Sequence, residues 1–248
     1  MRRYPPRGPS HSSFSFGPGP LSPALKALIA ANVGLFLAGS LFPALISVFG
    51  LRPADVLAGR VDQLATYMFL HGNVGHVLFN MLALWMFGTE LERVWGTAAF
   101  LKYYFVVGIA AAVSTTLISA TLPFAAGTFA TTTIGASGAI YGLLLAYGLL
   151  FPDRPIMLYF VFPIPAKYFV MILGAIALLM SVSDSGGGVA HITHLGGLIA
   201  GYLLLRGRNF SPANEVRYRY LRWKMERARK KFGVHSGGRK DEWDKRIH

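Results

Sequence analysis

Isolated charges divide this chain into long apolar intervals. No charged residue falls between Lys26 and Arg52, between Asp62 and Glu90, or anywhere in the 50 residues that separate Lys102 from Asp153. A helix needs about 20 mostly apolar residues to cross the roughly 30 Å hydrocarbon layer, so intervals of this size read as membrane spans. The longest interval has room for two, with Pro123, Gly127 and the Thr131–Thr133 run marking the turn between them. Residues 168–183 and 185–205 supply two more. The pattern predicts six spans, at about 24–44, 76–95, 98–122, 135–151, 166–182 and 190–206. The fold class it implies is an all-α polytopic membrane protein.

Composition agrees, with 53% hydrophobic and only 14% charged residues in 248, far from the average of a soluble domain. The net charge of +13 is confined to the two ends. Residues 1–26 carry four basic residues and no acidic one, and residues 206–248 carry 14 basic against 5 acidic. Between them six of each sign cancel. With both termini on the cytosolic side, the inner loops hold Arg93, Lys102, Arg154 and Lys167, while the outer loop at 123–134 is uncharged and that at 183–189 holds only Asp184. Arg52 and Arg60 in the first outer loop run against this rule.

Three regions follow. Residues 1–22, rich in Pro, Ser and Gly, read as a disordered cytosolic tail without the apolar core and small-residue cleavage site of a secretory signal. Residues 23–206 form the six-span membrane domain, and 207–248 a basic cytosolic tail. Within that tail Tyr218, Leu221, Met225, Ala228 and Phe232 recur at spacings of 3 and 4, with Arg219, Arg227 and Lys230 opposite. This is the pattern of a helix lying on anionic lipid. A basic run directly after a span reads as a lipid anchor rather than a nucleic-acid site. Cysteine is absent, which excludes disulfides, zinc-thiolate sites and a thiol nucleophile. A short polar N-terminus without transit-like composition fits a bacterial inner membrane best.

Polar groups at membrane depth are costly unless paired or functional, so the few present carry the information. His76 and Asn80, four apart, share a face of the second span, and His71 lies in the loop above them. Ser137 opens the fourth span, with Tyr141 one turn below and Gly135, Gly138 and Gly142 alongside. Alone, such a serine is more often a packing residue bonded to its own backbone. In the sixth span, Gly197 and Gly201 form a small-residue face that lets another helix approach closely. His194 lies within about 60° of that face, while His191 projects to the side. If the glycine faces of the fourth and sixth spans pack together, His194 can meet Ser137.

A serine within reach of a neutral imidazole is the minimal activated nucleophile. No Asp or Glu lies in 63–89, 103–152 or 185–205, so the pair would work as a dyad without a buried acid. His76, Asn80 and the Ser137 backbone N–H are the candidates to stabilise the developing oxyanion, each donor being worth about 3 kcal/mol. Spacing also allows Tyr141 to stack beneath His194.

These residues resemble, in order, the motifs of the rhomboid intramembrane serine proteases. The likeness covers roughly residues 60–206: His71, His76 and Asn80 in an H-x4-H-x3-N pattern, Glu92 and Gly96 closing the second span, G-x-S-G at 135–138 followed by Tyr141, and His194, Gly197 and Gly201 in the last span. The resemblance implies a six-transmembrane-helix rhomboid-like bundle with Ser137 and His194 catalytic, and His76 and Asn80 stabilising the oxyanion. Tyr141, Gly135, Gly138 and His71 support them. It implies a water-filled cavity below the outer surface, single-span membrane proteins as substrates entering past the fifth span, and no cofactor or metal. The loop "SDSGGGV" before the sixth span would cap the site. Where many members carry a Trp-Arg pair in the first outer loop, this chain has Asp62 and Gln63.

Two other readings compete. A catalytically inactive relative would bind client spans as a scaffold, although such relatives typically lack the serine or the histidine. A metal or proton transporter would use His71, His76, His191 and His194, but leaves Ser137, Asn80 and the glycine faces without a role.

Overall fold

The computed structural model describes residues 19–158, 162–182 and 188–209. The tail expected over 1–22 falls almost wholly outside these residues, as do the basic helix expected near 218–232 and most of the 183–189 loop.

A helix lies over each of the six predicted spans. The first, α1 (Pro23–Leu41), starts where Ser22 Oγ accepts the Leu25 N–H at 3.1 Å and Pro23 supplies a preset φ. After it come α2 (Ala44–Phe49), α3 (Pro53–Leu57), α4 (Gln63–Thr66) and a single 3₁₀ turn, Tyr67–Phe69. Helix α5 (Val74–Ala83) continues through one π turn, Leu84–Gly88, into α6 (Thr89–Trp95), so the second interval is one apolar helix from 74 to 95. The long α7 (Thr97–Thr121) precedes α8 (Ser137–Leu150), a β-hairpin of β1 (Pro155–Leu158) and β2 (Phe162–Pro165), then α9 (Ala166–Val182) and α10 (Gly188–Asn209). Among the described residues three helices are long and apolar enough to cross a bilayer: Pro23–Leu41, Val74–Trp95 and Thr97–Thr121. Ser137–Leu150 and Ala166–Met180 are apolar but shorter.

The outward surface of these helices is apolar, with Leu37, Leu41, Phe79, Met171 and Leu179 exposed, as expected where lipid rather than water is the neighbour. Helix α7 lies at the centre, packed against α3, α4, α6 and α8. Its buried face carries Phe100, Tyr103, Tyr104, Val107, Ala111 and Ala112. Gly88 lets α1 and α7 converge on the second helix, since a Cβ there would stand 3.0 Å from Leu25 Cδ2 and 3.2 Å from Phe100 Cζ. At the same end Glu92 accepts 2.6 Å hydrogen bonds from Ser22 Oγ and Thr97 Oγ1, tying the starts of α1 and α7 to the end of α6. Its charge is thereby satisfied where a bare carboxylate would be expensive.

The segment between α1 and α5 is more ordered than its sequence suggests. Leu51 and Thr133 exchange both backbone hydrogen bonds, at 2.9 and 2.8 Å, and Ala54 N–H donates to Phe129 O. Gln63 is fully buried: its Oε1 accepts the Arg52 N–H at 3.0 Å and its Nε2 donates to Val48 O at 3.2 Å. Asp62 instead stays exposed and pairs with Arg60 at 2.9 Å. The loop is thus pinned to the segment that leads into α8. Neither this pinning nor the hairpin between α8 and α9 was signalled by the apolar intervals.

Candidate active site

The segment entering α8 turns at Gly135, whose φ of +117° is a conformation that L side chains rarely adopt. Its N–H donates to Tyr67 O at 2.9 Å, which ties the turn to the segment between α1 and α5. There is also no room for a side chain, because a Cβ would stand 2.6 Å from His76 Nε2 and 3.5 Å from Asn80 Nδ2. Two residues later Ser137 becomes the first residue of α8. In that position its own N–H has no partner within the helix and points out of the helix start.

The partner helix comes as close as backbones allow. A Cβ on Gly197 would overlap the Gly138 carbonyl oxygen, and one on Gly201 would lie 3.0 Å from Gly142 Cα. Conversely a Cβ on Gly142 would be 3.3 Å from Gly197 O. The glycine faces of α8 and α10 therefore lie directly on one another. A buried bond of 2.8 Å between Thr115 and Thr193 hydroxyls fixes α10 against α7 as well.

At the end of this contact where α8 begins, His194 Nε2 lies 2.8 Å from Ser137 Oγ. The Tyr141 ring is parallel to that of His194, with centroids 4.2 Å apart and planes 7° from coplanar. The His194 Nδ1 atom is buried and, among the described residues, has no hydrogen-bond partner. Among the described residues no carboxylate contacts it, in line with the acid-free intervals of the sequence. His191, one turn earlier, is partly buried with its ring edge-on to His194 at 5.9 Å.

Across the site, His76 presents Nε2 to Gly135, while Asn80 Nδ2 donates to His71 Nε2 at 3.0 Å. An amide nitrogen can only donate, so His71 is the neutral acceptor here. Burial, with His76 beside it at 4.9 Å between centroids, pushes the His71 pKa down to about 4. His71 thus orients Asn80, whose second amide hydrogen is left to serve the space beside Gly135. Ser137, His194 and Tyr141 form one cluster, and His76, Asn80 and His71 a second that borders it at Gly135. Gly138 belongs to the helix contact. Among the described residues, no three His, Asp or Glu side chains are grouped to hold a metal.

Sequence reasoning missed Tyr67. Its buried hydroxyl donates to Gly108 O at 2.8 Å and would stand 2.9 Å from a Cβ on Gly138, while its carbonyl holds Gly135. It also missed Gln63 as the brace of the segment between α1 and α5. A polar side chain four residues ahead of His71 was the available signal for Tyr67; nothing local marked Gln63.

Residues 58–207 match a family model described as the Rhomboid domain. Among characterised proteins, the chain is 29% identical over 68% of its length to "RHOMBOID-like protein 12, mitochondrial" of Arabidopsis thaliana, covering 54% of that protein. It is 31% identical over 71% of its length to "Rhomboid protein 1, mitochondrial" of Saccharomyces cerevisiae, covering 51% of it. Against "Rhomboid protease GluP" of Bacillus subtilis the identity is 31% over 62% of this chain and 27% of the relative. The chain thus spans about half the length, or less, of these three relatives.

Proposed function

The chain belongs to the rhomboid family, and from that premise we propose that it is a serine endopeptidase that cuts in or beside the membrane segments of single-span proteins. The observation that carries this reading is the 2.8 Å contact between Ser137 Oγ and His194 Nε2. Relatives named as proteases, GluP and the Rhomboid protease AarA of Providencia stuartii, support the reaction class.

In the proposed reaction His194 Nε2 takes the Ser137 hydroxyl proton as Oγ attacks the substrate carbonyl carbon. The resulting oxyanion is met by the Ser137 N–H at the α8 start, the Asn80 amide and His76. The imidazolium then gives its proton to the leaving amine nitrogen as the peptide bond breaks. Water, deprotonated by His194, attacks the acyl-enzyme, and the proton returns to Ser137 Oγ as the acid product leaves. Tyr141 keeps the imidazole ring in plane through this cycle. With no acid at Nδ1, orientation comes from stacking rather than from a carboxylate.

The same reading takes the helices over the six intervals as six spans, both termini cytosolic, in a bacterial inner membrane. In this reading the basic tail binds anionic lipids. Helix-breaking residues in the substrate aid cleavage, because a helix must unwind before its carbonyls can be attacked. The competing scaffold reading keeps the fold and binds client spans without cutting them.

The deciding experiment is cleavage of a single-span substrate in liposomes by the wild type, Ser137→Ala, His194→Ala and His191→Ala, with and without a chelator. Loss of cleavage in the first two variants, with His191→Ala and the chelator harmless, is expected. Equal cleavage by all variants sinks the dyad. A wild type that captures the span without cutting it moves the scaffold forward.

A further inference from the structure

We infer that the β1–β2 strand pair between α8 and α9 is a membrane-interface element, lying along the bilayer surface at the end of α8 opposite Ser137, with the Met157 and Phe162 side chains turned to lipid. This does not depend on the proteolytic reading. The first observation is length. Helix α8 has 14 residues, which at 1.5 Å each reach about 21 Å, short of the roughly 30 Å hydrocarbon layer. Charged Asp153 and Arg154 follow within four residues, so the chain leaves α8 at the edge of the apolar layer, and the next regular element is the hairpin.

The second observation is its surface. The strands Pro155–Leu158 and Phe162–Pro165 carry no charge. Only the base is anchored in the protein, through buried Ile156, while Met157 and Phe162 remain 45% and 64% exposed. The charges Asp153, Arg154 and Lys167 sit at that base and are already paired, Lys167 with Asp153 at 2.7 Å and Arg154 with Glu90 at 2.8 Å. An apolar end beyond a neutralised base suits the boundary between headgroups and acyl chains.

The third observation concerns the backbone. The register pairs Pro155 with Pro165, Ile156 with Ile164, Met157 with Pro163 and Leu158 with Phe162. Proline has no N–H, so the pairs that exchange mutual hydrogen bonds must be Ile156–Ile164 and Leu158–Phe162. The 2.9 Å bond from Ala166 N–H to Arg154 O has the same parity. The outward-facing positions are then 155, 157, 163 and 165, and three of these four are prolines. Of the outward N–H groups only that of Met157 remains. An edge with a single donor offers a poor template for a further strand, while its outward carbonyls still need water or headgroup partners, which suits the interface rather than the hydrocarbon core.

The chain has no cysteine, so single labelling sites need no background substitutions. We would place a nitroxide at Met157→Cys and Phe162→Cys, with Asp153→Cys at the 81% exposed base as the aqueous control. Pro163→Cys replaces either distal site if that variant fails to keep the wild-type melting profile. The full chain goes into vesicles of phosphatidylcholine and phosphatidylglycerol. Expected are several-fold more collisions with oxygen than with a water-soluble nickel chelate at 157 and 162, and the reverse at 153. Chelate access at 157 and 162 equal to that at 153 overturns the inference. So does shielding from both reagents that lifts on dilution of protein in lipid, which would mean that a second copy covers the hairpin.

Discussion

Replacing Gly197 by alanine tests whether the glycine contact is what seats the base on the nucleophile. The added Cβ would overlap the Gly138 carbonyl oxygen and stand 2.9 Å from its carbon. Both are backbone atoms, so neither can swing aside as a side-chain end would. Relief requires α8 and α10 to part by about 1 Å. The same displacement takes Ser137 Oγ and His194 Nε2 from 2.8 Å to nearly 4 Å, beyond hydrogen-bond range. A misplacement of about 1 Å costs on the order of 100-fold in rate, equivalent to about 2.7 kcal/mol. The measurement is kcat on a single-span substrate in liposomes, alongside the melting midpoint, with Gly34→Ala as control. A Cβ on Gly34 meets nothing within 4 Å, so that variant should cut like the wild type. Gly197→Ala is expected to stay folded at assay temperature, with a lower midpoint and about 100-fold slower cleavage. Wild-type kcat in a folded Gly197→Ala protein would refute the idea that close helix approach positions the base.

Three further outcomes are expected. Gln63→Leu keeps the volume but strands the buried Arg52 N–H, which should lower stability by about 1–3 kcal/mol, read as a fall in the melting midpoint. Tyr141→Phe retains the 4.2 Å stack and should cut nearly as fast as the wild type, while Tyr141→Ala loses about 0.5–1.5 kcal/mol of ring contact and up to about 10-fold in kcat. Because the folded state holds His71 neutral, with its pKa at about 4 against 6.5 when free, stability is fully present above pH 6.5 and is lost as pH falls toward 4. Melting in His71→Asn should show a shallower fall over that window.

The helices were legible because lipid leaves the backbone no alternative: each apolar interval must satisfy its own N–H and C=O groups, which a helix does. Spans expected at 24–44 and 98–122 correspond to Pro23–Leu41 and Thr97–Thr121. What the intervals could not encode is contact between distant segments. The Leu51–Thr133 bridge, the Tyr67 carbonyl on Gly135 and the Gln63 brace all join residues outside one another's local pattern. One of them forms where the chain departs from the family pattern, at Asp62 and Gln63. In the fold Gln63 binds the loop's own backbone from both ends of its amide.

The polar residues at membrane depth sort into two kinds by where their bonds go. Ser114, Thr115, Thr116 and Thr121 each donate to the carbonyl four residues earlier in α7, at 2.7 to 3.0 Å. Such hydroxyls satisfy themselves and need no other role. Ser137 has no such option, because as the first residue of α8 it has no helical turn behind it to supply that carbonyl. Its hydroxyl bonds instead across 57 residues to His194, whose other nitrogen is buried without a partner among the described residues. A protein selecting only for packing would remove both costs with one alanine at each position. Glu92 is the counterexample that sharpens the point, since it is more deeply buried than Ser137 or His194 and carries a carboxylate, yet both its oxygens are bonded and its position is explained by holding three helices together. Being buried and polar does not separate the site from the scaffold. The separation comes from a hydroxyl turned away from its own helix toward a base whose second nitrogen has no hydrogen-bond partner among the described residues.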